Sequence, residues 1–293
     1  MRLLIISGSK SLGKANQYFV SEGKKLFDSV LLIPLTSIRV ELDGKKPRAF
    51  YKNTDLTKFD ACLPRLFAED FVFGEVVLDI LQNSGVYMPT TAEAYQISNH
   101  KYYMSKALSE ISIPIPDSAL CVGTVPAVKI AEKMGYPIVV KMLSGFGGKG
   151  VMFASSKQEF TPILDTLQIF KEFIVLQKFV ESGREDLRCY VVGKDIHAVK
   201  RMACEGDLRS NVSRGGRPRL ADFPEDYRDM VLNSAKIAGA ELCAVDLIMS
   251  GGKAFVVEVN FTPGIMVKYF GPKFAKIFLK FIYKRAKEKK MVV

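Results

Sequence analysis

Residues 253–265, KAFVVEVNFTPGI, begin as a buried β-strand and then break its rule. Glu258 and Asn260 stand where the strand should stay apolar, and Pro263-Gly264 ends it. Side chains alternate faces along a strand, so Glu258 and Asn260 point the same way, about 7 Å apart. Just upstream, LCAVDLIMS (242–250) is a second apolar run, and Gly251-Gly252 marks the hairpin turn between them. A three-residue loop, 251–253, pairs Ser250 with Ala254 and sets Asp246 directly opposite Glu258. Opposed residues share a face, with Cβ atoms about 5 Å apart. Two carboxylates and an amide oxygen then converge. Such like charges repel unless a cation lies between them, and Mg²⁺ held by one or two carboxylates plus substrate phosphates suits the set. The plainer alternative, that each acid pairs with one of the 42 Lys and Arg, does not explain why both interrupt core strands in register.

Length and composition are those of an ordinary globular protein. The 293 residues are too many for one small core and suit two or three lobes. No uncharged apolar run is long enough to span a membrane, and the apolar start LLII lacks the length and cleavage site of a secretory signal. Five scattered cysteines, none in a CxxC pair, point to reduced thiols and a cytoplasmic location. His100 and His197 are the only histidines, which argues against a histidine-rich zinc site or a Ser/His/Asp or Cys/His catalytic set. A formal charge of +11 predicts an acidic partner.

The order of elements predicts an α/β protein. RLLIIS, SVLLIP and DACLPRL are strands separated or followed by helical stretches, as in an open βαβ-type sheet, with a turn excursion at Asp43-Gly44. A helix over 100–110 is broken by the prolines of SIPIPDSALC. Strands YPIVVKML, GVMFAS and FIVLQKFV follow, then LRCYVV and IHAVKRM, a polar stretch 203–222, a helix from Pro224, the hairpin and a basic C-terminal helix. The expected division is an N-terminal α/β domain 1–96, a central lobe 97–177 and a C-terminal lobe 178–293.

Other stretches offer phosphate contacts. VVKMLSGFGGKGV sets Lys141 at the end of a buried strand, before a loop with four glycines in six residues. Backbone N–H groups of such a loop can approach phosphate oxygens, with Lys149 adding charge. Lys101 is a candidate second phosphate lysine or else a solvated helix residue, and EGDLRSNVSRGG (205–216), otherwise an exposed loop, offers Arg209, Asn211 and Arg214. Two features compete. GSKSLGKA (8–15) matches GxxxxGK around Lys14 but ends in Ala15, where a P-loop needs Ser or Thr for Mg²⁺. The C-terminal helix carries Phe274, Ile277, Phe278, Phe281 and Ile282 at helical spacing with lysines opposite. It could face nucleic acid or a membrane surface, but such a helix more commonly packs its apolar face on its own lobe.

Taken in order, Lys101, VVKMLSGFGGKGV, VLQKFVESGREDLRCYVVG, EGDLRSNVSRGG, AVDLI and VVEVNFTPG resemble the ATP-grasp superfamily and its RimK-like glutamate-ligase branch, from about residue 60 to 268. The resemblance implies an ATP-grasp fold, with ATP between two α+β lobes behind an N-terminal pre-ATP-grasp domain. It implies phosphate contacts from Lys101 and Lys141 and adenine at the hinge of Lys178 and Phe179. Asp186 would hold the ribose, and Arg209, Ser210 and Asn211 would lie at the triphosphate. Asp246, Glu258 and Asn260 would bind two Mg²⁺, with Mn²⁺ as a substitute. The implied reaction activates a carboxylate with ATP and joins it to an amine, glutamate by preference, with Arg209 and Lys141 serving phosphoryl transfer. The acceptor would be an acidic carboxylate, on a protein or a small molecule, and a homo-oligomer is compatible with this reading. Two departures stand out: Gln177-Lys178-Phe179 replaces the common Gln-Glu-Tyr hinge, and NFTPGIMVKYFGP differs from the usual Ser-Pro-Gly continuation. The rival classes are a P-loop NTPase using Lys14, a basic nucleic-acid-binding protein and a non-catalytic ATP-grasp sensor.

Overall fold

The computed structural model describes residues 1–8, 13–44, 46–98, 101–142, 150–169, 173–206, 208, 210–212 and 215–292. The N-terminal part runs β1 (Arg2–Ser7), α1 (Lys14–Gly23), β2 (Ser29–Pro34), β3 (Arg39–Glu41), β4 (Arg48–Tyr51), β5 (Thr54–Asp55), β6 (Ala61–Arg65), α2 (Phe71–Asn83) and α3 (Ala92–Ser98). Its main sheet is parallel in the order β2-β1-β6, with β3-β4-β5 as the antiparallel excursion. β1 is almost wholly apolar because both faces of the sheet are packed, with Leu4 and Ile6 in one core cluster and Leu3 and Ile5 in another, whereas β6 tolerates Pro64 as an edge strand.

The middle of the chain forms α4 (Lys101–Glu110), β7 (Ser118–Cys121), α5 (Thr124–Met134), β8 (Ile138–Met142), β9 (Val151–Ala154), α6 (Lys157–Ile169) and β10 (Ile174–Lys178). Its four-stranded antiparallel sheet has the order β7-β10-β8-β9, and α5 and α6 cover one face. The last part contributes β11 (Glu185–Val192), β12 (Asp195–Met202), β13 (Arg217–Ala221), α7 (Arg228–Ile237), β14 (Leu242–Ser250), β15 (Lys253–Asn260), α8 (Val267–Phe270) and α9 (Lys273–Val292). These strands make a five-stranded antiparallel sheet in the order β13-β12-β11-β14-β15. β13 emerges from what the sequence presents only as a polar stretch: an edge strand with one partner needs no apolar pattern.

Two readings of the sequence need correction. The β14–β15 turn is two residues long, so Ser250 pairs with Lys253 and Met249 with Ala254. Gly251 and Gly252 both have positive φ (54° and 74°), as the tightest hairpin turn demands. Asp246 nevertheless faces Glu258, because a bulge between Asp246 and Leu247 leaves Val257 as one extra residue on β15. The bulge also lets Val256 and Val259, three residues apart, both turn into the core, at 1% and 5% exposure.

Helix α9 is the second correction. Phe274, Phe278 and Ile282 pack not on the last lobe alone but into one cluster with Leu3, Ile5, Phe19 and Leu63 of the N-terminal part and Tyr190 of β11. The helix therefore straps the two ends of the chain together.

Candidate active site

A cavity of about 640 Å³ lies between the four-stranded and five-stranded sheets, and α4 and the end of β6 close it on one side. Lys101, Lys141, Lys178, Phe179, Asp186, Ser210, Asn211, Asp246, Glu258 and Asn260 all line it. The strands explain this convergence. Arg201 on β12 pairs with Asp186 on β11, Arg188 with Asp246 on β14, and Asp246 with Glu258 on β15, so one row of charges crosses the sheet. Arg209, Arg214, Lys149 and most of the glycine-rich loop lie outside the described residues.

Asp246 is 2% exposed and bound by two arginines. Arg188 Nε donates to its Oδ1 at 2.8 Å and Arg188 Nη2 to its Oδ2 at 2.7 Å, while Arg201 Nη2 reaches Oδ2 at 2.9 Å. Burial pushes the carboxyl pKa up, but the two guanidinium groups outweigh it and bring it down to about 2. Arg188 and Arg201 are held charged in return, each against its own desolvation. Reading the sequence singled out neither arginine. The signal was there: strand alternation puts Asp186 and Arg188 on one face.

The metal reading passes a capacity test. A carboxylate has about four lone-pair positions. Arg188 and Arg201 occupy three on Asp246, leaving one on Oδ1. Glu258 makes no hydrogen bond to another described residue and is exposed within the cavity. Asn260 Oδ1 accepts only the Thr262 N–H, at 3.0 Å, which leaves it a second lone pair. These oxygens fit a hard divalent cation such as Mg²⁺.

Across the cavity, Lys141 Nζ donates to Gln177 Oε1 at 2.7 Å, and Gln177 Nε2 donates to Ser118 Oγ at 2.8 Å, which holds the lysine in place. Burial lowers the Lys141 pKa to about 8, opposed by Glu258 and assisted by Lys101. Lys101 is lowered for the same leading reason, again opposed by Glu258. Two half-buried lysines thus share one carboxylate, a charge pattern that an anionic ligand would complete.

Other predicted residues sit differently from expectation. Asp186 is bound through both oxygens by Arg201, at 2.7 and 2.5 Å, and by Ser210 Oγ, so part of its capacity for a ribose is already engaged. At the hinge, the Lys178 N–H donates to Asp117 C=O at 2.8 Å and the Phe179 N–H to Pro137 C=O at 3.3 Å. A base there would be read through other hinge groups and by an apolar slot that includes Val139, Phe153, Val175, Ile248 and Val256. The loop carrying Ser210 and Asn211 closes on itself through Gly216, where a Cβ would come within 2.2 Å of the Ser210 carbonyl oxygen. Lys14 opens α1 and is not among the described residues that line the cavity.

Two antiparallel sheets gripping a cavity with lysines on one side and a carboxylate–amide row on the other define an ATP-grasp ligase. The chain belongs to the RimK-like ATP-grasp family: residues 98–282 match the model of the RimK-like ATP-grasp domain, and residues 1–95 that of the RimK pre-ATP-grasp domain. It is similar, at 30% identity over 98% of this chain and 97% of the relative, to a probable alpha-L-glutamate ligase of Shewanella loihica. A protein of the same description from Vibrio cholerae is 30% identical, over 99% of this chain and 98% of the relative. Among solved structures, the ATP-grasp ligase PsnB complexed with minimal precursor, Mg and ADP shares the fold at TM-score 0.76 and 13% identity, covering 97% of each chain. D-alanine–D-alanine ligase from Bacillus anthracis complexed with ATP does so at 0.70 and 18%, covering 100% of each. The chain is an ADP-forming carboxylate–amine ligase, and neither the P-loop reading of Lys14 nor nucleic-acid binding is favoured.

Proposed function

We propose that the enzyme adds L-glutamate to the carboxylate of an acidic acceptor, either a protein C-terminus or a coenzyme tail. The reading is carried by the charge row Asp246–Glu258–Asn260 facing Lys101 and Lys141 across one cavity. The names of the full-length relatives supply the amino acid, and the excess of eleven positive charges favours an acidic acceptor. Structural neighbours solved with precursor peptides make a peptide acceptor reasonable.

In this reading the division 1–96, 97–177 and 178–293 separates an acceptor-side domain from two nucleotide-gripping lobes. Adenine enters the apolar slot at the hinge, and Asp186 and Asn211 face the sugar and phosphates. Asp246, Glu258 and Asn260 would hold Mg²⁺, read as two ions, which when bound would supply neutralisation of triphosphate charge. Lys101 and Lys141 contact the ATP phosphates, and Arg209 steadies the charge that develops during transfer. An acceptor carboxylate oxygen attacks the γ-phosphorus, the bond from γ-phosphorus to the bridging oxygen breaks, and ADP leaves. The glutamate amine then attacks the acyl carbon, inorganic phosphate departs and the amine loses a proton. No protein nucleophile is required, in keeping with two histidines in the chain. Reduced thiols and the absence, among described residues, of a helix long and apolar enough to cross a membrane suit a cytoplasmic enzyme.

The test offers each amino acid with a glutamate-ended peptide, a pterin or deazaflavin coenzyme and an amino-acid carrier protein, and follows ADP release and product mass. The expected result is glutamate-dependent ADP release with one acceptor and a product heavier by glutamyl units. ADP release that no amino acid stimulates would overturn the assignment.

A further inference from the structure

Arg65, the last residue of β6, lines the cavity at its N-terminal side and is 6% exposed. Its Nη1 donates to the Pro263 carbonyl at 3.0 Å, while Nε is buried without a partner among the described residues. Its guanidinium lies over the Phe19 ring, with 5.2 Å between the guanidinium carbon and the ring centroid. Among described residues no carboxylate pairs with it, and burial dominates, lowering the pKa to about 10 against weaker help from the Tyr95 and Tyr190 hydroxyls. The contrast with Arg188 and Arg201 is direct, since both of those are bound to buried or nearly buried carboxylates.

A buried charge without a partner is costly, and a buried donor without an acceptor adds to that cost. Arg65 is nonetheless held firmly in place. Thr262 Oγ1 donates to Leu66 C=O at 2.8 Å and Tyr190 donates to Gly264 C=O, which fixes the end of β6 against the turn that follows Asn260. Pro263, whose carbonyl Arg65 holds, stands three positions after Asn260, at most about 11 Å along the chain. Arg65 therefore lies within the reach of one or two substrate residues from Asn260, in the wall that the N-terminal part gives the cavity.

We propose that Arg65 is the receptor for a non-reacting carboxylate of the substrates, which completes its charge and donor set and sets the distance to the reacting group. This rests on the ligase reading. The carboxylate is either on the incoming amino acid or on the acceptor next to its reacting end, and the two sources separate experimentally. Guanidinium suits the task, because its planar donors match a carboxylate in two-point geometry.

The experiment measures KM for ATP, L-glutamate and a peptide ending in Glu-Glu, with wild type, Arg65→Met and Arg65→Lys. Each substrate is also tested with one non-reacting carboxylate converted to its amide. Arg65→Met should raise KM for one carboxylate substrate by roughly tenfold to a hundredfold, the effect of a lost charge-assisted contact, with KM for ATP within about twofold. Amidation of the carboxylate that Arg65 reads should weaken wild type by a similar factor and leave Arg65→Met almost unaffected. Arg65→Lys should recover part of the loss. The substrate that shows this coupling identifies the source. Melting temperatures give a second readout: Arg65→Met without substrate should melt close to wild type, since the lost Pro263 hydrogen bond is offset by removing a buried charge that has no carboxylate. A variant that melts lower while every KM stays unchanged would make Arg65 purely structural and overturn the inference. A rise confined to KM for ATP would assign it to phosphate and overturn it equally. If wild type releases no ADP in response to any amino acid, the ligase reading itself fails, a result distinct from both.

Discussion

At the scale of single residues, the site is a balance of charges that only a ligand completes. Glu258 is the clearest example, an exposed carboxylate without a hydrogen bond among described residues, set opposite the buried Asp246. Glu258→Gln removes its charge but little volume, so turnover should vanish while the melting temperature holds. Full ATP-dependent activity in that variant would refute the metal assignment. Lys141 gives a pH prediction. Burial lowers its pKa to about 8 in the empty site, and a bound triphosphate favours the protonated form and raises it. Nucleotide affinity is therefore complete below pH 8 and falls as pH rises above it, by up to about tenfold per unit until the pKa of the complex is passed. Lys141→Arg should flatten that fall, and Lys141→Ala should weaken binding by about 1–3 kcal/mol, whereas Lys14→Ala should change little. Titration of nucleotide affinity from pH 6.5 to 9.5 checks all three. The sequence revealed the acidic residues of this site more readily than their partners. Asp246 and Glu258 announce themselves as acids within apolar strands, but Arg188 and Arg201 matter through pairings across three strands, which only register defines.

At the scale of elements, the β14–β15 hairpin shows a right conclusion reached by a wrong route. A three-residue loop and unbroken pairing would place Glu258 opposite Asp246. So do the observed two-residue loop and bulge at Val257. The local sequence cannot tell these apart, because Val256 and Val257 are the same residue type and either satisfies a core-facing position. Tertiary packing decides: the observed pairing buries Val256 at 1% exposure and leaves Val257 partly exposed beside the cavity. Val256→Ala should then cost about 2–3 kcal/mol and Val257→Ala less than about 1. Denaturant unfolding of the two variants measures this, and the reverse order would contradict the bulge. Strand β13 was illegible for a different reason, since an edge strand carries no apolar alternation to read.

At the scale of the whole molecule, α9 explains where the positive charge is not available as well as where it is. Arg285 is bound to Glu241 at 2.6 Å and to Glu288 at 2.8 Å, so it serves packing between the chain's ends. Lys284, Lys287 and Lys289 are exposed on the same helix and make no ion pair with a described residue. Their field reaches about 8–10 Å at physiological salt and would speed encounter with an acidic acceptor. Reversing these three charges should raise KM for the acceptor at low salt and mimic added salt, with KM for ATP less affected. Acceptor kinetics indifferent to both treatments would leave the basic balance to solubility alone. The apolar pattern of α9 was plain in the sequence, but its partner was not, because the cluster joins residues nearly the whole chain apart. The central claim is that a substrate carboxylate, not water, attacks ATP in this cavity. Labelling the C-terminal carboxylate of a Glu-Glu peptide with ¹⁸O and analysing the released phosphate tests it most directly. One labelled oxygen per phosphate is the predicted result, and phosphate released in acceptor-stimulated turnover without the label would contradict it.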